Sequence, residues 1–299
     1  MKWSIYYRGS LSSCNYSCAY CPFAKTRNTR AELLHDRRQL ARFQQWTAQQ
    51  SARLAVLFTP WGEALGQRAY RRTLVELSHQ PNIERVAIQT NLSAPLAELG
   101  EASNRLALWA TYHPGQTSLQ RFAAKCRQLD QLKIGYSVGV VGLKEHFADL
   151  QRLRQLLAPD RYLWVNAYKR QSDYYTAADI GYLKSIDPFF AYNLHRYPSR
   201  NTACRAGHSS FAVDGEGNLR RCHFVAEVLA NIYAPGFTEQ LKPRLCPNET
   251  CGCYIGYVHR PALQWEERFG PGYLERIPDQ GRMSWKSGSR ANPPEESVL

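Results

Sequence analysis

The chain reads as an α/β protein: a partial (β/α)6 barrel followed by a small cysteine-rich C-terminal module. Three observations carry this. Strand-like and helix-like segments alternate six times between residues 3 and 190. Six such units imply a parallel sheet with right-handed crossovers, and they fall short of the ~250 residues of a complete eight-unit barrel. From Cys204 to about Tyr257 the periodicity fades while Gly, Pro and Cys rise, as in a small unit whose apolar core alone would be thin.

The elements follow in order. Trp3 to Tyr7 is a short strand. Thr29-Arg30-Ala31-Glu32 is a capping box that opens a helix through Leu33, Leu40, Phe43 and Trp46. Arg53 to Phe58 is a buried strand, and helical spacing returns at Tyr70, Leu74 and Leu77. Val86-Ala87-Ile88 and Leu106 to Thr111 are the third and fourth strands. Ser118 to Leu132 is an amphipathic helix, Ile134 to Val141 a fifth strand, and Leu143 to Leu157 helical. Tyr162 to Val165 is the sixth strand, and Thr176 to Asp179 caps another helix. The expected domains are 1–190, 191–260 and a C-terminal extension 261–299, whose polar end from Lys286 is expected to be disordered.

Composition narrows the class. With 299 residues, 44% hydrophobic and 21% charged, the chain can bury a core, so wholesale disorder is excluded. No apolar run approaches the ~18 residues of a membrane helix. The net charge is +13, and residues 1–80 hold 12 basic and 4 acidic side chains. Such a surface suits either plain solubility or an anionic partner. No secretory signal is visible, so a cytoplasmic location is expected. In a reducing compartment, eight of nine cysteines in two clusters point to metal rather than disulfides.

The first cluster is Cys14, Cys18 and Cys21, spaced C-x3-C-x2-C just after the first strand. Three thiolates can hold three irons of a [4Fe–4S] cube, leaving the fourth iron open to an external ligand. A zinc knuckle with a fourth ligand from elsewhere is the competing reading. Parallel α/β sheets place their chemistry at the carboxyl ends of the strands, so every further motif can be tested by whether it follows one.

With Tyr20 before the last cysteine and six βα units behind the loop, this stretch resembles the radical S-adenosylmethionine superfamily over residues 3–190. The resemblance implies that the open iron takes the amino and carboxylate groups of S-adenosylmethionine (SAM). One-electron cleavage of SAM then yields a 5′-deoxyadenosyl radical that removes hydrogen from substrate. Phe58 to Leu65, with Gly62 and Glu63, resembles the family's Gly-Gly-Glu-Pro segment at the methionine ammonium; Trp61 and Ala64 depart from it. Thr90 and Asn91 stand where Thr-Asn-Gly is common, with Leu92 departing. Val140 and Gly142 match part of a fifth-strand segment that packs on adenine, Asn166 ends strand six, and Tyr20 could flank the adenine. His113, after strand four, either faces the site or satisfies a loop carbonyl.

The second cluster is Cys204, Cys222, Cys246, Cys251 and Cys253. Asp214 to Asn218 places a hairpin turn between the first two. The arrangement resembles the Twitch or SPASM extensions of the same superfamily. That resemblance implies an auxiliary [4Fe–4S] cluster on Cys204, Cys222 and one or two of the last three. Cys126, alone on a helix, reads as packing.

The expected function is thus hydrogen abstraction from a peptide or small metabolite, with the second cluster assisting net oxidation. A low-potential donor such as flavodoxin or ferredoxin would supply the electron, with no membrane and no specific nucleic-acid partner. The alternative is a zinc-stabilised basic protein that binds nucleic acid, which the charge supports but no recognisable basic helix or aromatic motif accompanies.

Overall fold

The computed structural model describes residues 1–23 and 26–279. The expected disorder from Lys286 lies outside these residues.

Six parallel strands form the scaffold: β1 (Lys2–Arg8), β2 (Arg53–Phe58), β3 (Ile83–Thr90), β4 (Leu106–Tyr112), β5 (Gly135–Val141) and β6 (Leu163–Asn166). They pair in sequence order, each parallel to the last. Helices α1 (Arg30–Ala48), α2 (Arg68–His79), α3 (Leu119–Gln131) and α4 (Phe147–Leu156) make crossovers, and α5 (Ala177–Ile186) follows β6. The connection from β3 to β4 is instead a 3-10 turn at Ala97–Glu101. Both expected capping boxes form, Thr29 with Glu32 on α1 and Thr176 with Asp179 on α5. Each satisfies two backbone N–H groups that a helix start otherwise leaves bare. Cys126 is buried on α3 in the helix-side core, as its packing role requires.

The remaining elements are α6 (Phe190–Leu194), β7 (Tyr197–Pro198), β8 (Ala203–Cys204), β9 (Ser210–Asp214), β10 (Asn218–Arg220), β11 (Val228–Asn231), β12 (Arg244–Leu245), β13 (Thr250–Cys251), α7 (Tyr254–Tyr257) and α8 (Trp265–Phe269). The hairpin β9–β10 forms around Gly217, at φ 84°, a conformation that favours glycine. It does not stand apart from the barrel. β9 lies parallel to β1, so one nine-stranded sheet runs β11-β10-β9-β1-β2-β3-β4-β5-β6.

Two apolar clusters divide the core. One lies between the strands and the helices and includes Tyr7, Phe43, Phe58, Leu74 and Val140. The other fills the concave interior, where Tyr6, Leu57, Trp109 and Trp164 meet Tyr254, Tyr257, Trp265, Phe269 and Tyr273. The C-terminal segment therefore plugs the barrel. Its contacts lie towards the amino ends of the strands: Ser4 Oγ is 2.8 Å from the Tyr273 hydroxyl, and Ser137 Oγ donates to the Glu275 carbonyl at 2.7 Å. Buried Glu275 takes an ion pair from Arg85 at 2.9 Å.

Among the described residues, no helix is long and apolar enough to cross a membrane.

Candidate active site

The loop after β1 carries Cys14, Cys18 and Cys21, and its neighbours hold it at several points. Ser12 and Ser13 donate their backbone N–H groups to Asn28 Oδ1 at 2.8 and 2.9 Å. Leu11 N–H donates to Asp36 Oδ1 at 3.0 Å, and Ser17 N–H to Gln116 Oε1 at 2.8 Å. None of the three thiols is in a disulfide, and they lie within mutual electrostatic range: Cys18 feels Cys21 and Cys14, and Cys14 feels Cys21. Burial is the main cause that raises Cys14 and Cys18 above an ordinary thiol.

The loop after β2 lies against this one. Glu63 N–H donates to the Ser13 carbonyl at 3.0 Å. A Cβ on Gly62 would stand 1.9 Å from that same oxygen, so only glycine permits the approach. Gly62 thus serves the site through its backbone.

Glu63 is 7% exposed and points to the end of β3. Its Oε1 accepts from Thr90 Oγ1 at 2.7 Å and its Oε2 from the Asn91 N–H at 2.6 Å. Burial pushes the carboxyl up to about 7, against the opposing pull of these hydrogen bonds. Asn91 in turn donates from Nδ2 to Asn15 Oδ1 at 3.0 Å and lies 3.7 Å from Cys14 Sγ. Glu63, Thr90, Asn91 and Cys14 therefore form one continuous network. Leu92 occupies φ 62°, a left-handed conformation that glycine adopts freely and leucine does not.

His113, at the end of β4, faces the site. Its Nδ1 lies 3.4 Å from Cys18 Sγ and 2.8 Å from the Tyr20 hydroxyl. The Tyr20 and His113 rings stack at 6.0 Å, and the edge of Tyr16 meets His113 at 5.9 Å. Burial, with the nearby His146, draws the imidazole down to about 4, so it is neutral and can share a proton with the hydroxyl or the thiol.

The fifth and sixth strand ends close the row. Gly142 N–H donates to the Asn166 carbonyl at 2.9 Å, and the Gly142 carbonyl accepts from Tyr175 at 2.6 Å. A Cβ at 142 would lie 2.8 Å from both Tyr175 and Val165. Val140 is fully buried in the helix-side core, so its side chain packs there. Asn166 is exposed at the strand end.

The second cysteine group also lies within mutual electrostatic range, Cys253 included. Cys222 feels Cys204 and Cys246, and Cys251 feels Cys222, Cys204, Cys253 and Cys246. Burial pushes Cys222 up to about 11 and Cys251 up to about 12. Two of these cysteines sit on short strand pairs: β12 on β8 sets Arg244 opposite Cys204, and β13 on β7 sets Cys251 opposite Tyr197. Buried Arg221 ties β12 down by donating to the carbonyls of Leu245 and Arg244. The cationic neighbours of Cys253 are Lys169, Arg276 and Arg8.

Among the described residues, no three His, Cys, Asp or Glu side chains converge as a single bound metal ion needs. Thiols that bind separate irons of one cube need no such common point. None of the eight cysteines in the two groups forms a disulfide.

No family model and no curated protein matches this chain. Solved structures do. Native anSMEcpe with bound AdoMet and Cp18Cys peptide is similar at a TM-score of 0.51 and 15% identity, over 81% of this chain and 82% of that one. Native anSMEcpe with AdoMet and Kp18Cys peptide gives 0.53 and 15%, over 81% and 80%. Streptococcus suis SuiB gives 0.54 and 13%, over 80% of this chain and 65% of that one. This chain shares their fold.

The motif reading did not find Asn15, Asn28, Asp36 and Gln116, which hold the cysteine loop. Asparagine and glutamine are common loop residues, and their partners lie up to 99 positions away, so no local pattern marks them.

Proposed function

We propose that this chain is a radical SAM enzyme acting on a peptide. The observation that carries the reading is the network joining the cysteine loop to the ends of β2, β3 and β4 through Glu63, Thr90, Asn91 and His113. It supplies three clustered thiols, a buried carboxylate for an ammonium, and polar groups at successive strand ends, where α/β sheets place their chemistry. The likeness to a fold solved with AdoMet and with peptides supports both the cofactor and the substrate class.

Cys14, Cys18 and Cys21 would hold a [4Fe–4S] cluster whose open iron binds SAM; together they supply reductive cleavage to a 5′-deoxyadenosyl radical that abstracts hydrogen from the substrate. Glu63 holds the ammonium of SAM, with Thr90 and Asn91 fixing its carboxylate. Gly142 and Asn166 border the nucleoside, and Tyr20 with His113 shields the cluster side from water. Cys204, Cys222, Cys246 and Cys251 would hold an auxiliary cluster, which would supply an electron acceptor for net oxidation. Exposed Phe23 and Trp61, in edge contact at 4.9 Å beside the cysteine loop, offer a low-potential donor such as flavodoxin or ferredoxin a place to dock.

Anaerobic purification tests this. A brown protein with about eight irons per chain is expected, absorbing at about 400 nm. Under dithionite it forms 5′-deoxyadenosine from SAM, and Cys18→Ala abolishes this. A colourless protein holding zinc, or cleavage that survives Cys18→Ala, overturns the reading.

A further inference from the structure

We infer that the outer face of α1, beside the first cysteine loop, is the docking surface for a small acidic electron-carrier protein of the flavodoxin or ferredoxin class. This deepens the proposed function by assigning the face at which the electron enters, and it rests on that reading.

The face is tied to the cysteine loop. The segment leading into α1 lies along the residues just before Cys14: Ser13 forms a β-bridge with Thr26, and Asn28 Oδ1 accepts from the N–H groups of Ser12 and Ser13. Arg27 belongs to this segment, and Arg30 is the first residue of the helix. Positions 30, 34, 37 and 38 then fall on one side of α1, opposite the buried Asp36, Leu40 and Phe43. All four are exposed: Arg30, Leu34, Arg37 and Arg38. Leu34 is 44% exposed, an apolar side chain set among cations. On the other side of the loop, Phe23 and Trp61 are also exposed and meet edge to face.

The cations of this face have no internal counter-charge. Among the described residues, Arg27, Arg30, Arg37 and Arg38 form no ion pair, whereas Arg68 and Arg71 on the next helix both pair with Glu98. The four acids of residues 1–80 are engaged elsewhere. Glu63 lies in the site, and buried Asp36 accepts from the Leu11 N–H and the Tyr70 hydroxyl. Glu32 accepts from the Thr29 N–H in the capping box, and Glu76 accepts from Gln44. Nor do these arginines serve the helix. Arg30 stands in the first turn, where a cation opposes the helix dipole, while the last turn has no basic residue. Arg38 and Arg42 stand four apart, a spacing at which like charges destabilise a helix. An acidic partner supplies the charge that the chain withholds.

Position selects the kind of partner. Of the anionic macromolecules that a basic face could take, an electron carrier is the one whose work requires it beside Cys14, Cys18 and Cys21. One electron leaves the carrier's reduced flavin or [2Fe–2S] centre for the centre those thiols would hold, and no atom is transferred. Encounters of this type are small and transient, with an apolar middle and a charged rim that steers approach.

The test is anaerobic titration calorimetry on the full chain with its clusters loaded, against two acidic probes, a purified flavodoxin and a purified [2Fe–2S] ferredoxin. At least one should bind at about 20 mM salt and more weakly at about 300 mM. Arg37→Glu with Arg38→Glu should weaken that binding about tenfold or more at the lower salt, with a smaller difference at the higher. The same reversal at Arg127 and Arg152, exposed on α3 and α4, alters net charge equally and should change affinity less than about twofold. Electron delivery by the bound carrier should slow in the first variant, while dithionite, which needs no docking face, should drive 5′-deoxyadenosine formation at the wild-type rate. Binding of neither probe at the lower salt, or equal losses in the two double variants, overturns the inference. So does a single-stranded RNA that binds wild type more tightly than either carrier and loses this with Arg37 and Arg38. Failure of dithionite-driven cleavage in wild type instead counts against the proposed function itself.

Discussion

Replacing Glu63 by glutamine separates what this side chain does for the fold from what it does for a ligand. Its carboxyl is raised from 4.5 to about 7. At 1.36 kcal/mol per unit, the ionised form costs the folded protein about 3 kcal/mol. The sign follows from the raised value. Stability is intact below pH 4.5, falls as pH rises through the window to 7, and is lowest above it. The substituted amide keeps an oxygen for the Asn91 N–H and cannot ionise. The Glu63→Gln variant should therefore be at least as stable as wild type at pH 8 without ligand, which differential scanning calorimetry can read. Binding should move the other way. An ammonium placed beside Glu63 restores the charge and must displace its proton below pH 7. Wild-type affinity for SAM should rise about tenfold per pH unit from 5 to 7. In Glu63→Gln the rise should be shallower by the one proton that Glu63 gives up, and affinity about 10- to 100-fold weaker at pH 7.5, the worth of a charge-assisted hydrogen bond. Calorimetry in buffers of different ionisation enthalpy counts the protons released. Equal affinities at pH 7.5, or parallel pH slopes, would refute the ammonium role and leave Glu63 as a bridge between strands.

Other outcomes follow from the same geometry. Gly62→Ala sets a Cβ 1.9 Å from the Ser13 carbonyl, so the β2 loop must withdraw; iron analysis should show loss of the first cluster with the second retained. His113→Phe removes the partner shared by Cys18 and Tyr20, and proteolysis between residues 14 and 23 should become faster. Replacing both Cys204 and Cys222 by Ala should lower the iron content by about half, leaving SAM cleavage but no turnover of substrate. Trp265→Ala opens the plug among Tyr192, Tyr257 and Phe269 and should cost about 3–5 kcal/mol in denaturant unfolding.

Alternation of strand and helix, the capping boxes at Thr29 and Thr176, and the hairpin turn before Gly217 were legible because each is written within a few consecutive residues. The cysteine loop after β1 was marked in the same way, by three thiols within eight consecutive residues. The site proper was legible only in outline. Glu63 and the Thr90-Asn91 pair could each be picked out at a strand end, but not that they bond to one another, because their meeting depends on how β2 and β3 register. In the sequence Cys253 is one of three candidates, with Cys246 and Cys251, to complete the set begun by Cys204 and Cys222. Its neighbours Lys169 and Arg276 are 84 positions before it in the chain and 23 after it, as the residue numbers give, and only folding brings them together.

The tertiary structure alone decided two further matters: that the hairpin extends the barrel sheet beside β1, and that residues 254–279 fill the barrel. The physical division is one of range. Propensity, capping and periodicity act over one or two turns of chain, whereas burial, close approach and unpaired charge arise from contacts between segments that the sequence places far apart.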